Sequence, residues 1–129
     1  MSTKNTFPKK EKLCGEIRIG RLFAEGEAFI AYPLRVVYKF SDEPQESGVK
    51  ILISVPKKKI KKAVHRNRIK RQIREAYRLN KAALQESCLH NDKSLQIAVT
   101  YLSDKLPEYK VIEDKIKHAL TKMLQLFST

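Results

Sequence analysis

A chain of 129 residues with 42% hydrophobic side chains is long enough for one domain with a real core, and too apolar to be disordered throughout. Its 27 Lys and Arg against 14 Asp and Glu leave a formal charge of +13, which calls for a polyanionic partner, nucleic acid ahead of anionic membrane. No apolar stretch approaches a membrane span and MSTKNTFPKKEK holds no apolar signal core, so a cytoplasmic setting is expected, with Cys14 and Cys88 as free thiols.

Residues 1–12 read as a flexible basic N-terminal arm. LCGEIRIGRLFAE (13–25) then places Ile19 and Phe23 four apart on one helical face, and Gly26 supplies a stop. AFIAYPLRVVYKF (28–40) turns to period two, with room for a further short strand near 27–32. Leu34, Val36, Tyr38 and Phe40 point to the core, and Arg35, Val37 and Lys39 point away. An acidic turn, SDEPQESG, follows. VKILISV (49–55) is a second strand, with Lys50, Leu52 and Ser54 on its polar side. The two strands are expected to pair as a hairpin with one oily and one partly basic face.

Pro56 ends that strand, and a helical period runs from about Lys62 to Leu84. Ile69, Ile73, Ala76, Tyr77, Ala83 and Leu84 fall within one arc. ESCLHNDKS (86–94) breaks the pattern, and LQIAVTYL (95–102) reads as a third strand. Pro107 suits the first turn of a last helix carrying Ile112, Ile116, Ala119, Leu120, Met123, Leu124 and Phe127. Residues 13–129 are thus a single α+β domain, with helices packed on a small mixed sheet.

Residues 57–74, KKKIKKAVHRNRIKRQIR, carry ten Lys or Arg and no acid. Like charges on neighbouring turns repel, so such a density points to phosphates that supply the missing charge. Guanidinium groups grip phosphate as a fork and ammonium groups act as point charges. Asn67 can both donate and accept, toward a 2′-hydroxyl or a base edge. The competing readings are a solvated helix face, which needs no such same-sign excess, and a membrane-surface helix, whose apolar stripe is here needed to cover the sheet. His65 sits inside the run and can touch a phosphate, whereas His90 and His118 read as surface residues. The scattered acids form no metal or catalytic pattern, and there is no phosphate-cradling glycine loop. The protein alone is expected to bind nucleic acid without cleaving it.

The stretch SVPKKKIKKAVHRNRIKRQIREAYRLNK (54–81) resembles the signature of the protein subunit of bacterial ribonuclease P. A Lys-rich turn leads into Ala63, Val64, His65, Arg66, Asn67, Arg68, Ile69, Lys70, Arg71, Gln72, Ile73, Arg74 and Glu75 in the family's fixed spacing. The resemblance implies a two-layer α/β sandwich, ribosomal protein S5 domain 2-like, with a left-handed βαβ crossover where ordinary handedness would be right-handed. It also implies the function: assembly with a large catalytic RNA that removes the 5′ leader from precursor tRNA. The RNA carries out the hydrolysis with Mg²⁺, and no metal is assigned to the protein alone. The partners it implies are the catalytic ribonuclease P RNA and precursor tRNA, with no membrane and no small-molecule substrate.

Matched onto the signature, Lys57, Lys58, Lys59, Lys61, Lys62, Arg66, Asn67, Arg68, Lys70, Arg71 and Arg74 are the expected RNA-binding residues. The family's leader cleft takes aromatics from the first helix, where Ile19 and Phe23 stand, and from the adjacent strand, where the position falls on Val37 or Tyr38. Strand phase alone adds Arg35, Lys39 and Lys50 to the leader path. Lys12-Leu13 stands where the family has Arg-Leu. A general RNA-binding protein and a DNA-binding helix are the alternatives. Stimulated cleavage of precursor tRNA would separate the subunit from the first, and a preference for duplex DNA over structured RNA would favour the second.

Overall fold

The computed structural model describes residues 16–41, 48–91 and 93–126, with the side chains of 16–19, 21 and 41 excepted. The expected arm 1–12, Cys14, the acidic segment 42–47, Phe127 and the Ile19 side chain lie outside the described residues. The chain order is α1 (Glu16–Glu25), β1 (Glu27–Ala31), β2 (Leu34–Ser41), β3 (Gly48–Ser54), α2 (Ala63–Asn80), α3 (Ala82–His90), β4 (Ser94–Tyr101) and α4 (Tyr109–Gln125). No helix among the described residues is long and apolar enough to cross a membrane.

Gly26 ends α1, as the sequence suggests, but close approach is the reason. A Cβ there would lie 2.4 Å from the Leu22 carbonyl oxygen and 2.8 Å from that of Tyr38. The period-two stretch 28–40 is two strands, and the first, Glu27–Ala31, is the further short strand for which 27–32 left room. Ala31 pairs with Leu34, and Tyr32 and Pro33 make the turn through a cis peptide bond. Pro33 has no N–H for a ladder and stands just before β2.

The four-stranded sheet has the order β1-β2-β4-β3. The predicted hairpin of β2 with β3 does not form, because β4 lies between them. It runs antiparallel to β2 (Val37 opposite Ala98) and parallel to β3 (Leu52 opposite Ala98). β4 is buried along almost its whole length, so it satisfies its backbone and covers its side chains best at the centre. A parallel β3–β4 pair needs a long crossover, and α2 and α3 supply it.

One sheet face packs Leu34, Val36, Val49, Ile51, Leu95, Ile97, Val99 and Tyr101 under α2, α3 and α4. Ile69, Ile73, Ala76 and Tyr77 of α2 are each fully buried there. Strand alternation sends Val37, Leu52 and Ala98 to the other face, where Leu22 of α1 covers them. The two-layer sandwich is thus built by α2, α3 and α4 on one face, and α1 adds partial cover to the second.

The helical stretch differs from its prediction. α2 stops at Asn80, whose side-chain amide donates to the Ala76 carbonyl at 2.8 Å. α3 then continues to His90 through the segment expected to be irregular. Leu84 and Cys88, four apart, are buried, whereas Ala83 faces solvent. Two anchors make a stripe too short to register as a period. Gln85 in the same helix accepts the Val49 N–H at 2.7 Å and so ties α3 to the start of β3. Pro107 precedes α4 instead of entering its first turn, because Glu108 keeps an extended backbone as the N-cap.

Candidate nucleic-acid interface

The Lys-rich turn is a built feature. Val55 and Ile60 are buried and anchor both of its ends to the core. Between them the Pro56 carbonyl accepts the N–H groups of Lys59 and Ile60, each at 3.1 Å. Lys57, Lys58, Lys59, Lys61 and Lys62 are all exposed. Five ammonium groups are thereby held on a short, folded tip.

α2 starts directly after this tip, with no side-chain cap and no acid in its first turn. Its leading N–H groups therefore add positive potential where the lysines already concentrate it. Further along, Ile69, Ile73, Ala76 and Tyr77 bury one stripe, and Asn67, Arg68, Arg71 and Arg74 lie exposed, with Lys70 half-buried. The helix thus displays the predicted basic face, held in place by the apolar one.

Arg66 differs from its neighbours. At about 100° per residue it falls on the core-side arc with Ile69 and Ile73. Its Nη1 donates to the carbonyls of Ile60 at 2.9 Å and Lys61 at 2.7 Å. The first arginine of the Arg-Asn-Arg block therefore braces the Lys turn from behind. Arg68 and Arg71 stay exposed. Arg78 forks onto Glu75 at 2.9 and 2.7 Å, which neutralises the one acid within α2. The fork holds the Glu75 carboxyl below its ordinary value.

The second sheet face carries the predicted leader residues in cross-strand rows. Lys39, Gln96 and Lys50 form one, Val37, Ala98 and Leu52 the next, and Arg35, Thr100 and Ser54 the third. The third row ends at Ser54, from which the chain passes through Val55 and Pro56 into the Lys turn. Phe23, on α1 beside the buried Leu22, is 47% exposed and so is not core packing. The strand aromatic is absent from this face. Val37 has the right phase but is buried under Leu22, so its predicted solvent-facing position is corrected. Tyr38 lies on the core side, edge-on to Phe29 and Phe40 with centroids 5.9 and 6.1 Å away, and so is removed from the cleft. Lys39 is partly neutralised by Glu25, 3.3 Å away across α1 and β2. Arg35 is exposed and Lys50 half-buried.

Tyr32, 62% exposed at the β1–β2 turn, is a surface aromatic that the sequence reading does not single out, because it lies inside the period-two stretch 28–40. Cys88 is buried, and burial pushes its thiol up to about 12, which suits an inert packing role. His65 is half-buried in the first turn of α2, while His90 and His118 are exposed. Among the described residues no three His, Cys, Asp or Glu side chains gather closely enough to hold a metal ion.

Known proteins resemble this chain in sequence and in fold. The family described as Ribonuclease P matches residues 7–124. The ribonuclease P protein component of Porphyromonas gingivalis is 39% identical over 125 residues, covering 95% of this chain and 91% of the relative. That of Chlorobaculum tepidum is 32% identical over 129 residues, covering 93% and 84%. Among solved structures, the Staphylococcus aureus RNase P protein superposes with a TM-score of 0.70 at 22% identity, covering 91% of this chain and 97% of that one. The Thermotoga maritima RNase P protein, in complex with 1-(4-fluorophenyl)-2-thiourea, gives 0.67 at 22%, covering 84% and 98%. The structural likenesses establish a shared fold. The family match and the relatives span nearly the whole chain, the basic helix included, and on that ground the chain belongs to the ribonuclease P protein family.

Proposed function

We propose that this protein acts as the RNA-binding subunit of ribonuclease P, the ribonucleoprotein endonuclease that removes the 5′ leader from precursor tRNA. In this reading the Lys turn and the exposed cations of α2 hold the catalytic RNA. The face beneath α1 guides the single-stranded leader past Phe23, Arg35 and Lys50.

The observation that carries it is the braced cationic tip, which runs without a break into the basic face of α2. Ile60, Ile69 and Ile73 lock that surface to the core, so the backbone that carries the charges is ordered before RNA arrives and only the exposed side chains lose freedom on binding. The metal and the hydrolytic chemistry belong to the RNA in this scheme. The protein's part is to neutralise phosphates that would otherwise repel one another and to align leader and RNA.

The test is cleavage of precursor tRNA at low Mg²⁺ by the cognate ribonuclease P RNA, with and without the protein. Stimulation with correct 5′ ends is expected. Tight binding without stimulation would leave a general RNA-binding protein.

A further inference from the structure

A cavity of about 280 Å³ opens between α2 and the start of α4, lined by Arg68, Arg71, Gln72, Glu75 and Tyr109. Gln72 and Tyr109 have no part in the site above. The Gln72 Oε1 and Tyr109 hydroxyl atoms are both buried; Oε1 has no hydrogen-bond partner among the described residues, and the hydroxyl lies beside the Glu113 carboxylate of its own helix. The other end of the Gln72 amide reaches only the Pro107 carbonyl, at a long 3.5 Å. Buried polar atoms are rarely left without a partner, and here an unpartnered acceptor and a hydroxyl stand together beside one opening.

The geometry points to an unpaired nucleotide of bound RNA as the occupant, with its base inserted between the two helices. This inference rests on the RNA-binding role proposed above. Every base edge offers donors and acceptors that can complement Gln72 and Tyr109. The Tyr109 ring gives an aromatic surface of the kind on which bases stack. Arg68 and Arg71 are exposed at the opening, where the flanking phosphates would lie. Glu75 also lines the cavity, and the Arg78 fork offsets its charge so that it does not repel the backbone. An acidic peptide would satisfy the two arginines but would bring no base edge for Gln72 and Tyr109.

The experiment measures affinity of the full-length protein for its cognate ribonuclease P RNA over a series of KCl concentrations. Tyr109→Phe removes one hydroxyl and keeps the packed ring, and near-ultraviolet circular dichroism checks the fold. It is expected to weaken binding about three- to tenfold with the salt slope unchanged, since a base contact is lost and no phosphate contact. Gln72→Leu is expected to behave alike, whereas Arg71→Ala lowers the slope by about 0.9. A second arm repeats the titration with precursor tRNA and the assembled holoenzyme. A loss in the first arm places the nucleotide in the catalytic RNA, and a loss confined to the second places it in the substrate. Wild-type affinity of Tyr109→Phe in both arms overturns the inference. Failure of the wild-type protein to bind ribonuclease P RNA at all would instead overturn the proposed function.

Discussion

Arg66 is the residue at which a charge role and a bracing role can be separated. Its guanidinium donates two hydrogen bonds to the Lys turn, at 2.9 and 2.7 Å. A charged hydrogen bond contributes roughly 1.5–3 kcal/mol when buried. Here one carbonyl is part-buried and the other exposed, so water replaces much of the loss, and Arg66→Ala should cost about 1–2 kcal/mol of stability. The RNA effect should be larger than one missing cation. If two turn residues must be re-ordered on binding, at about 1 kcal/mol each, the dissociation constant rises roughly 30-fold beyond the lost charge. Arg68 is exposed, so Arg68→Ala should lower the salt slope by about 0.9 and leave the melting temperature alone. The assay pairs RNA titrations across KCl with amide hydrogen exchange at Lys59 and Ile60, whose N–H groups share the Pro56 carbonyl. Arg66→Ala should speed exchange at both, and Arg66→Lys should fall between it and the wild type. Wild-type exchange and affinity in Arg66→Lys would refute the brace and leave Arg66 a plain point charge.

Phe23→Ala should weaken binding of precursor tRNA but not mature tRNA, by the roughly 1–3 kcal/mol of a base–aromatic stack, and equal losses would rule out a leader role. Leu22→Ala should cost about 2–3 kcal/mol in a denaturant melt, because Leu22 is the buried anchor of α1 on Val37, Leu52 and Ala98. In a Cys14→Ser background, Cys88 should resist a thiol reagent until the protein unfolds. Its buried thiol lies above the ordinary 9.0, so it favours folding below that value and loses the contribution as pH rises toward about 12. Glu75 has the opposite sign. Its depressed carboxyl favours folding above the ordinary 4.5 and loses that contribution as pH falls through the lowered value. Glu75→Gln should therefore flatten the acid end of a melting-temperature profile.

The sequence by itself determined the elements with long, regular patterning. The α2 stripe of Ile69, Ile73, Ala76 and Tyr77 and the α4 stripe from Ile112 to Met123 are where their periods put them, since burial of one face dictates the spacing. The same-sign run 57–74 identified the basic surface, because such a charge density needs no tertiary information to be recognised. The family signature was likewise legible, because its residues are contiguous.

Tertiary structure alone decided what depends on residues far apart in the chain. The placing of β4 between β2 and β3 follows from its burial on both faces, which no local period records. The fate of Val37 turned on one contact: strand phase put it away from the core, and Leu22 then covered it. The two roles inside Arg-Asn-Arg separated only when the turn folded back on α2 and set two carbonyls against Arg66. Tyr109 and Gln72, distant in sequence, meet at one cavity because α2 packs beside the start of α4. Periodicity reports which face of an element is buried, but which neighbour buries it is a property of the assembled fold.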